Sequence, residues 1–240
     1  MRHVEDWHWW YVGLRGLLKR QWNTHVSRGN PRVGDMGCGT GANLAMLQGE
    51  GSCFGLDRSS SAIAFCRERG LSGTVLASVD SIPCPSETFD AVLSMDVLPH
   101  KWVRDKQGAL TEMARVLKPG GYLFLNLPAY QWLHSSHDVA VEQDWRATAS
   151  VVRRMLASSG LEPVRITYWN TLLFPGVAVL RLLRKGKKTV ESASDFRHTA
   201  PTALDSLCGS VLALERLILR YIDLPFGLSV FAVARKPLPD

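Results

Sequence analysis

The chain has 240 residues, 46% of them hydrophobic and 21% charged, with a formal net charge of +6. That length suits one α/β domain with room for an insertion, and a mean hydropathy of −0.02 suits a soluble protein with a sizeable core. The positive charge is mild and spread out, unlike the clustered excess of a nucleic-acid binder, so no nucleic-acid partner is expected. Five cysteines, at 38, 53, 66, 84 and 208, are odd in number and lack C-x-x-C spacing, which fits reduced cytoplasmic usage with no metal site. The start of the chain, with Glu5, Asp6 and four tryptophans by residue 22, is not a signal peptide. No apolar run reaches the ~18 residues needed to span a bilayer.

In chain order, residues 1–30 read as an N-terminal helical cap rich in tryptophan. Arg32–Met36 reads as a first buried strand, and Asn43–Leu47 has helical character. Ser52–Leu56 is a second strand that ends at Asp57. Ser59–Arg69 is a helix with a serine N-cap and Gly70 as its stop. Thr74–Ala77 is a third strand. Phe89–Met95 is a fourth, near-continuously apolar as a central parallel strand is. Asp105–Leu117 is a helix that Lys118-Pro119-Gly120-Gly121 stops, and Tyr122–Leu127 is a fifth strand. Thr148–Ser159 is a helix and Pro163–Trp169 a sixth strand. After residue 170 the rhythm breaks. Leu172–Lys185 and Ala203–Ile222 are helical, joined by a polar, serine-rich link, before Leu228–Ala234 returns as a strand. In the second helix Leu204, Leu207, Cys208, Val211, Leu212, Glu215 and Leu219 follow a helical period with one polar member.

Repeated β-α-β units predict an α/β fold: a doubly wound, Rossmann-like, seven-stranded and mostly parallel sheet, with a helical insertion before the last strand. The expected division is a helical cap over 1–30, a core over 31–170 and 227–240, and an insertion over 171–226. That insertion is expected to act as a lid or as a homodimer contact. Its apolar first helix ends in Arg184-Lys185-Gly186-Lys187-Lys188, so a membrane surface stays open as an alternative.

The most informative run is Val33-Gly34-Asp35-Met36-Gly37-Cys38-Gly39-Thr40-Gly41. It sits at a strand-to-helix turn. Glycines there let the backbone pass close to a ligand, and the following helix start offers free N–H groups. Asp35 adds a carboxylate suited to a cationic amine. Gly37, Gly39 and Ala42 also fit the G-x-G-x-x-A spacing of nicotinamide enzymes, but the Asp35 charge would face a pyrophosphate.

Taken with Asp57, Ile82-Pro83, Phe89-Asp90, Met95-Asp96-Val97-Leu98-Pro99-His100 and Arg115-Val116-Leu117-Lys118-Pro119-Gly120-Gly121, this run resembles the class I S-adenosylmethionine-dependent methyltransferases. A second set resembles a bacterial small-molecule subgroup: His8-Trp9-Trp10-Tyr11, Leu127-Pro128-Ala129-Tyr130, His137-Asp138, Tyr168-Trp169-Asn170 and Pro225-Phe226-Gly227-Leu228-Ser229. The resemblance implies S-adenosylmethionine as cofactor. Gly37, Cys38 and Gly39 would meet its methionine end, Asp35 its amine and Asp57 its ribose hydroxyls. Arg58 would flank the adenine, Val79 and Asp80 would contact it, and Met95 would offer a carbonyl and a side chain. Tyr11 and Arg15 are the polar candidates of the N-terminal cover. His100, His134 and His137 are candidate bases.

The chain departs from the family at three places. Ser78 stands where an aspartate is common, Pro99 where an acidic residue precedes the histidine, and Glu142-Gln143-Asp144-Trp145-Arg146-Ala147 where the subgroup tends to show Gly-His and Arg-Arg-Tyr. The expected activity is O-, N- or C-methylation of a small, bulky apolar molecule by in-line transfer, without a metal. The alternative is a relative that binds the cofactor without methylating and catalyses a cyclisation or isomerisation.

Overall fold

The computed structural model describes residues 2–26, 29–184 and 202–239. Helices α1 (Arg2–Glu5) and α2 (Trp9–His25) precede strand β1 (Arg32–Met36). Then come α3 (Ala42–Leu47), β2 (Ser52–Asp57), α4 (Ser60–Glu68), β3 (Thr74–Leu76), β4 (Phe89–Met95), α5 (Lys106–Val116) and β5 (Leu117–Pro128). A 3-10 turn at Gln131–Leu133 leads to α6 (Ser136–Ala140), α7 (Ala149–Ser158) and β6 (Glu162–Trp169). Helices α8 (Phe174–Arg184) and α9 (Ala203–Ile218) precede the last strand, β7 (Ser229–Arg235).

The seven strands form one sheet in the order β3-β2-β1-β4-β5-β7-β6. All pairings among β1–β5 are parallel, and β7 runs antiparallel between β5 and β6. The strand order reverses beside β1, with β2 on one side and β4 on the other. A crevice opens outside the carboxyl ends of the strands at such a point.

Alternating side chains feed two cores. Val33, Leu93, Phe124 and Phe231 meet Leu17, Leu18 and Trp22 of α2 and Leu212 of α9 on one face. Val92, Leu123, Leu125 and Ala232 meet Leu110 and Met113 of α5 and Leu156 of α7 on the other. Helices α2 and α9 approach closely because Gly13 stands between them: a Cβ there would lie 2.6 Å from Leu212 Cδ1.

Two boundaries differ most from the sequence expectation. Lys118–Gly121 follows the end of α5 at Val116 as expected but already belongs to β5, where Leu117 pairs with Phe89. The tail of β7 supplies the missing partners: Gly120 N–H donates to the Lys236 carbonyl at 2.8 Å and Lys236 N–H to Gly121 at 2.9 Å. Helix α9 ends at Ile218 rather than 222, where the Arg165 guanidinium donates to the Leu219 carbonyl at 2.7 Å and satisfies the helix end. The basic residues Lys185, Lys187 and Lys188 and most of the serine-rich link lie outside the described residues. Among the described residues no helix is long and apolar enough to cross a membrane.

Candidate active site

A cleft of about 1900 Å³ runs along the carboxyl edge of the sheet. Its floor is made by the chain just after β1, β2 and β4. Its roof comes from α1–α2, and its far wall from α6, α8 and α9.

The glycine loop forms one end. Gly37 and Cys38 N–H both donate to the Leu56 carbonyl, at 2.8 and 2.9 Å, which turns the chain sharply off β1. Gly37 has φ +92°, and a Cβ there would lie 2.4 Å from Val97 Cγ2. At Gly39, φ is +53° and the space where a Cβ would stand is open. Asp57 holds the loop from the end of β2: its Oδ2 accepts from Gly39 N–H and its Oδ1 from Ser59 N–H, each at 2.9 Å. A carboxylate offers about four acceptor sites, so each oxygen keeps capacity for a ligand hydroxyl. Asp35 lies beneath, fully buried, with no well-formed hydrogen bond on either oxygen and the Asn43 side chain as its polar neighbour. Burial pushes its carboxyl up to about 7, with the Asn43 side chain opposing and Asp57 adding to the shift.

A stack of rings walls the cleft next to Asp57. The Arg58 guanidinium lies 5.0 Å from the centre of the Trp102 ring, and His100 stacks on Trp102 at 5.5 Å and 19°. Burial lowers the His100 imidazole, and its Nδ1 has no partner. At the roof, Tyr11 and Arg15 of α2 line the cleft. Arg15 donates to the Glu5 carbonyl at 2.7 Å, while the Glu5 carboxylate accepts from Thr40 and Arg69. Burial pushes the Tyr11 phenol up, so it stays protonated.

Past β5 the chain folds over the cleft around a buried ion pair. Arg146 donates twice to Asp138 Oδ1, at 2.6 and 3.0 Å, and once to the Ala129 carbonyl at 3.0 Å. Asp138 also accepts from Ser135 N–H and Oγ at the start of α6. Burial alone would raise the Asp138 carboxyl, but Arg146 holds it below the usual carboxylate range. His134 Nε2 meets the Gln143 carbonyl at 3.1 Å, and His137 stands on α6.

The cleft therefore brings together Tyr11, Arg15, Gly37, Cys38, Gly39, Asp57, Arg58, Met95, His100, His134 and His137. Asp35 sits behind the loop. Val79 and Asp80, placed by spacing alone, do not reach the cleft lining. Val79 is buried in the core under α5, and Asp80 is exposed and bonded to Ser78 Oγ at 2.8 Å. Three lining residues escaped the sequence reading: Asp96, Asn170 and Arg146. All three lay inside quoted runs without a role, and the first two share a backbone feature. Both have positive φ, 57° and 63°, a conformation uncommon outside glycine and a mark of functional sites.

Residues 34–125 match the methyltransferase domain family. A fatty-acid O-methyltransferase of Mycolicibacterium smegmatis is 40% identical over 97 residues, which are 38% of this chain and 35% of that protein. The tRNA (carboxymethyluridine(34)-5-O)-methyltransferase of Arabidopsis thaliana is 31% identical over 114 residues, 46% of this chain and 26% of that one. The chain thus spans about a third and about a quarter of these two relatives. A SAM-dependent methyltransferase of Archaeoglobus fulgidus superposes with a TM-score of 0.59 at 17% identity, over 92% of this chain and 94% of its own, a likeness of fold.

The groups present fit S-adenosylmethionine. A buried carboxylate with no well-formed hydrogen bond suits its cationic end, Asp57 keeps acceptor capacity for a diol, and Gly39 leaves open the space a side chain would fill. Among the described residues no group of three or more histidine, cysteine or carboxylate side chains could hold a metal ion. Residues 34–125 thus carry a methyltransferase domain, and the sheet around it has the fold of the S-adenosylmethionine-dependent methyltransferases.

Proposed function

We propose that the protein methylates a small, bulky apolar molecule in the reducing cytoplasm, as a step of small-molecule biosynthesis. One observation carries this reading: a single cleft runs from the glycine loop and Asp57 to an apolar wall of Trp9, Trp10, Leu173, Val177, Leu180 and Cys208. A polar cofactor fits the first part, and the second suits an apolar acceptor. The fatty-acid O-methyltransferase relative supports an acceptor of that kind. The five free cysteines support a reducing compartment.

In this reading Asp57 takes the ribose hydroxyls, Asp35 the amine, and Gly37–Gly39 the methionine backbone. Arg58 with Trp102 flanks the adenine. The bound cofactor supplies an electrophilic methyl on a sulfonium that is ready to leave. The chain's own part is to position the acceptor and exclude water. The insertion and the N-terminal helices close the cleft.

The test is incubation with S-adenosylmethionine and apolar acceptors, with transfer RNA as a counter-probe, read by mass spectrometry. A gain of one methylene in a small acceptor supports the reading. An isomer of unchanged mass supports cyclisation instead, and methylated RNA supports a nucleic-acid substrate.

A further inference from the structure

Asp96 follows β4 directly and lines the cleft together with Met95, Val97 and Tyr11 of α2. Its backbone is held at φ +57° by its N–H, which donates to the Asn126 carbonyl at 3.0 Å. Its Oδ2 accepts from the Asn126 amide at 2.9 Å. Its Oδ1 is shielded from solvent and has no partner.

Asn126 cannot turn over. Its own Oδ1 accepts from Trp169 Nε1 at 2.8 Å, and an indole is a donor only. The amide oxygen must therefore face Trp169, and the NH2 must face Asp96. Oδ2 is committed to accepting in either protonation state. A proton arriving at Asp96 goes to Oδ1, the oxygen without a partner.

We infer that Asp96 is the catalytic proton acceptor for a hydroxyl-bearing acceptor, an alcohol or a phenol. The assignment rests on the methyl-transfer reading above and narrows its substrate class. The acceptor oxygen forms a bond to the methyl carbon as the carbon–sulfur bond breaks. Sulfur keeps the electron pair, and the hydroxyl proton passes to Asp96 Oδ1. A carboxylic-acid acceptor arrives already ionised, needs no base, and would set its charge against Asp96.

The three histidines are placed less well for this step. His100 is stacked on Trp102 at the Arg58 end, His134 Nε2 is engaged by Gln143, and His137 belongs to α6 rather than to a strand end. The charged and titratable groups facing Asp96 are Tyr11 from α2 and Arg146 from the segment after β5. Burial raises the Asp96 carboxyl to about 7, opposed by the Asn126 amide and then by Arg146. A base in that range works at neutral pH.

The test uses tritiated methyl transfer from S-adenosylmethionine to 1-dodecanol, 4-nonylphenol and lauric acid, with the parent protein and Asp96→Asn. The expected result is transfer to a hydroxyl acceptor, with kcat falling about 10²–10⁴-fold in D96N. S-adenosylhomocysteine affinity, by calorimetry, stays within about twofold, since Asp96 acts on the acceptor proton. The rise of kcat with pH through about 7 in the parent disappears in the variant. D96N also unfolds at a higher temperature than the parent at pH 9 and no higher at pH 5, because it removes a carboxylate that burial disfavours. Trp169→Phe, which frees Asn126 to turn, moves the acid limb of the pH profile. Transfer to lauric acid alone, a D96N rate within about threefold of the parent, or an unchanged pH dependence of unfolding overturns the assignment and leaves methyl transfer standing. Transfer to none of the three, with S-adenosylhomocysteine still bound, overturns both.

Discussion

Asp35 and Asp57 stand at neighbouring strand ends and meet opposite fates. Asp57 has a backbone N–H on each oxygen, while Asp35 has no well-formed hydrogen bond on either. An aspartate raised by burial favours its protonated form in the fold. The stability it contributes is present below pH 4 and is lost as pH rises through about 7. In the proposed role, a cationic amine held in the cleft in front of it, directly or through water, needs the ionised form. Cofactor affinity therefore falls about tenfold for each pH unit below 7, and Asp35→Asn flattens that dependence; calorimetric titration across pH 5–8 checks both. In its proposed ribose-binding role Asp57 makes charged hydrogen bonds of about 1.5–3 kcal/mol each, so Asp57→Ala weakens cofactor binding by at least about 100-fold. Gly37→Ala places a methyl 2.4 Å from Val97 at φ +92° and destabilises the fold by about 1–3 kcal/mol in urea unfolding. The glycines and Asp35 could be picked out in the sequence because they share one turn, and Asp57 because it closes the next strand. Val79 and Asp80 were not placed, because β3 is only three residues long and the chain after it turns one residue inward and the next outward.

Single elements carry two polar anchors that no spacing rule reveals. Glu215 was the one polar member of an apolar stripe on α9. It is 1% exposed and accepts the backbone N–H groups of Asn170, Thr171 and Leu172, which fixes the chain after β6 against the insertion. Its donors lie more than forty residues away in sequence, so only the fold brings them together. The same helix shows where periodicity misleads. Leu212 and Leu219 are buried against α2, but Leu204 and Leu207 are 67% and 62% exposed, beyond the part of the stripe that meets α2 and the sheet. The buried Asp138–Arg146 pair braces the segment that covers the cleft. Arg146→Ala removes both hydrogen bonds to Asp138 Oδ1, leaves Ser135 and Arg181 on Oδ2, and costs about 1–3 kcal/mol in urea unfolding. Asp138 is held low in the fold, so its contribution is present above the ordinary carboxylate range and is lost as pH falls through its depressed value.

Across the whole molecule, the parallel strands were readable as short apolar runs closed by turn residues. The switch in strand order beside β1 follows from connections that reverse direction once. Sequence does not record how the N-terminal helices, the segment after β5 and the insertion meet over the sheet edge, since those contacts are long-range. That meeting makes one cleft out of a cofactor loop and an apolar wall. Thermal unfolding in the presence of S-adenosylmethionine, S-adenosylhomocysteine or NAD tests the account most directly. At about 100 times its dissociation constant a ligand adds about 2.7 kcal/mol, a rise of roughly 5–10 °C for a chain of this size. The account predicts that rise with both adenosyl ligands and none with NAD. An unfolding temperature unmoved by either adenosyl ligand would contradict it.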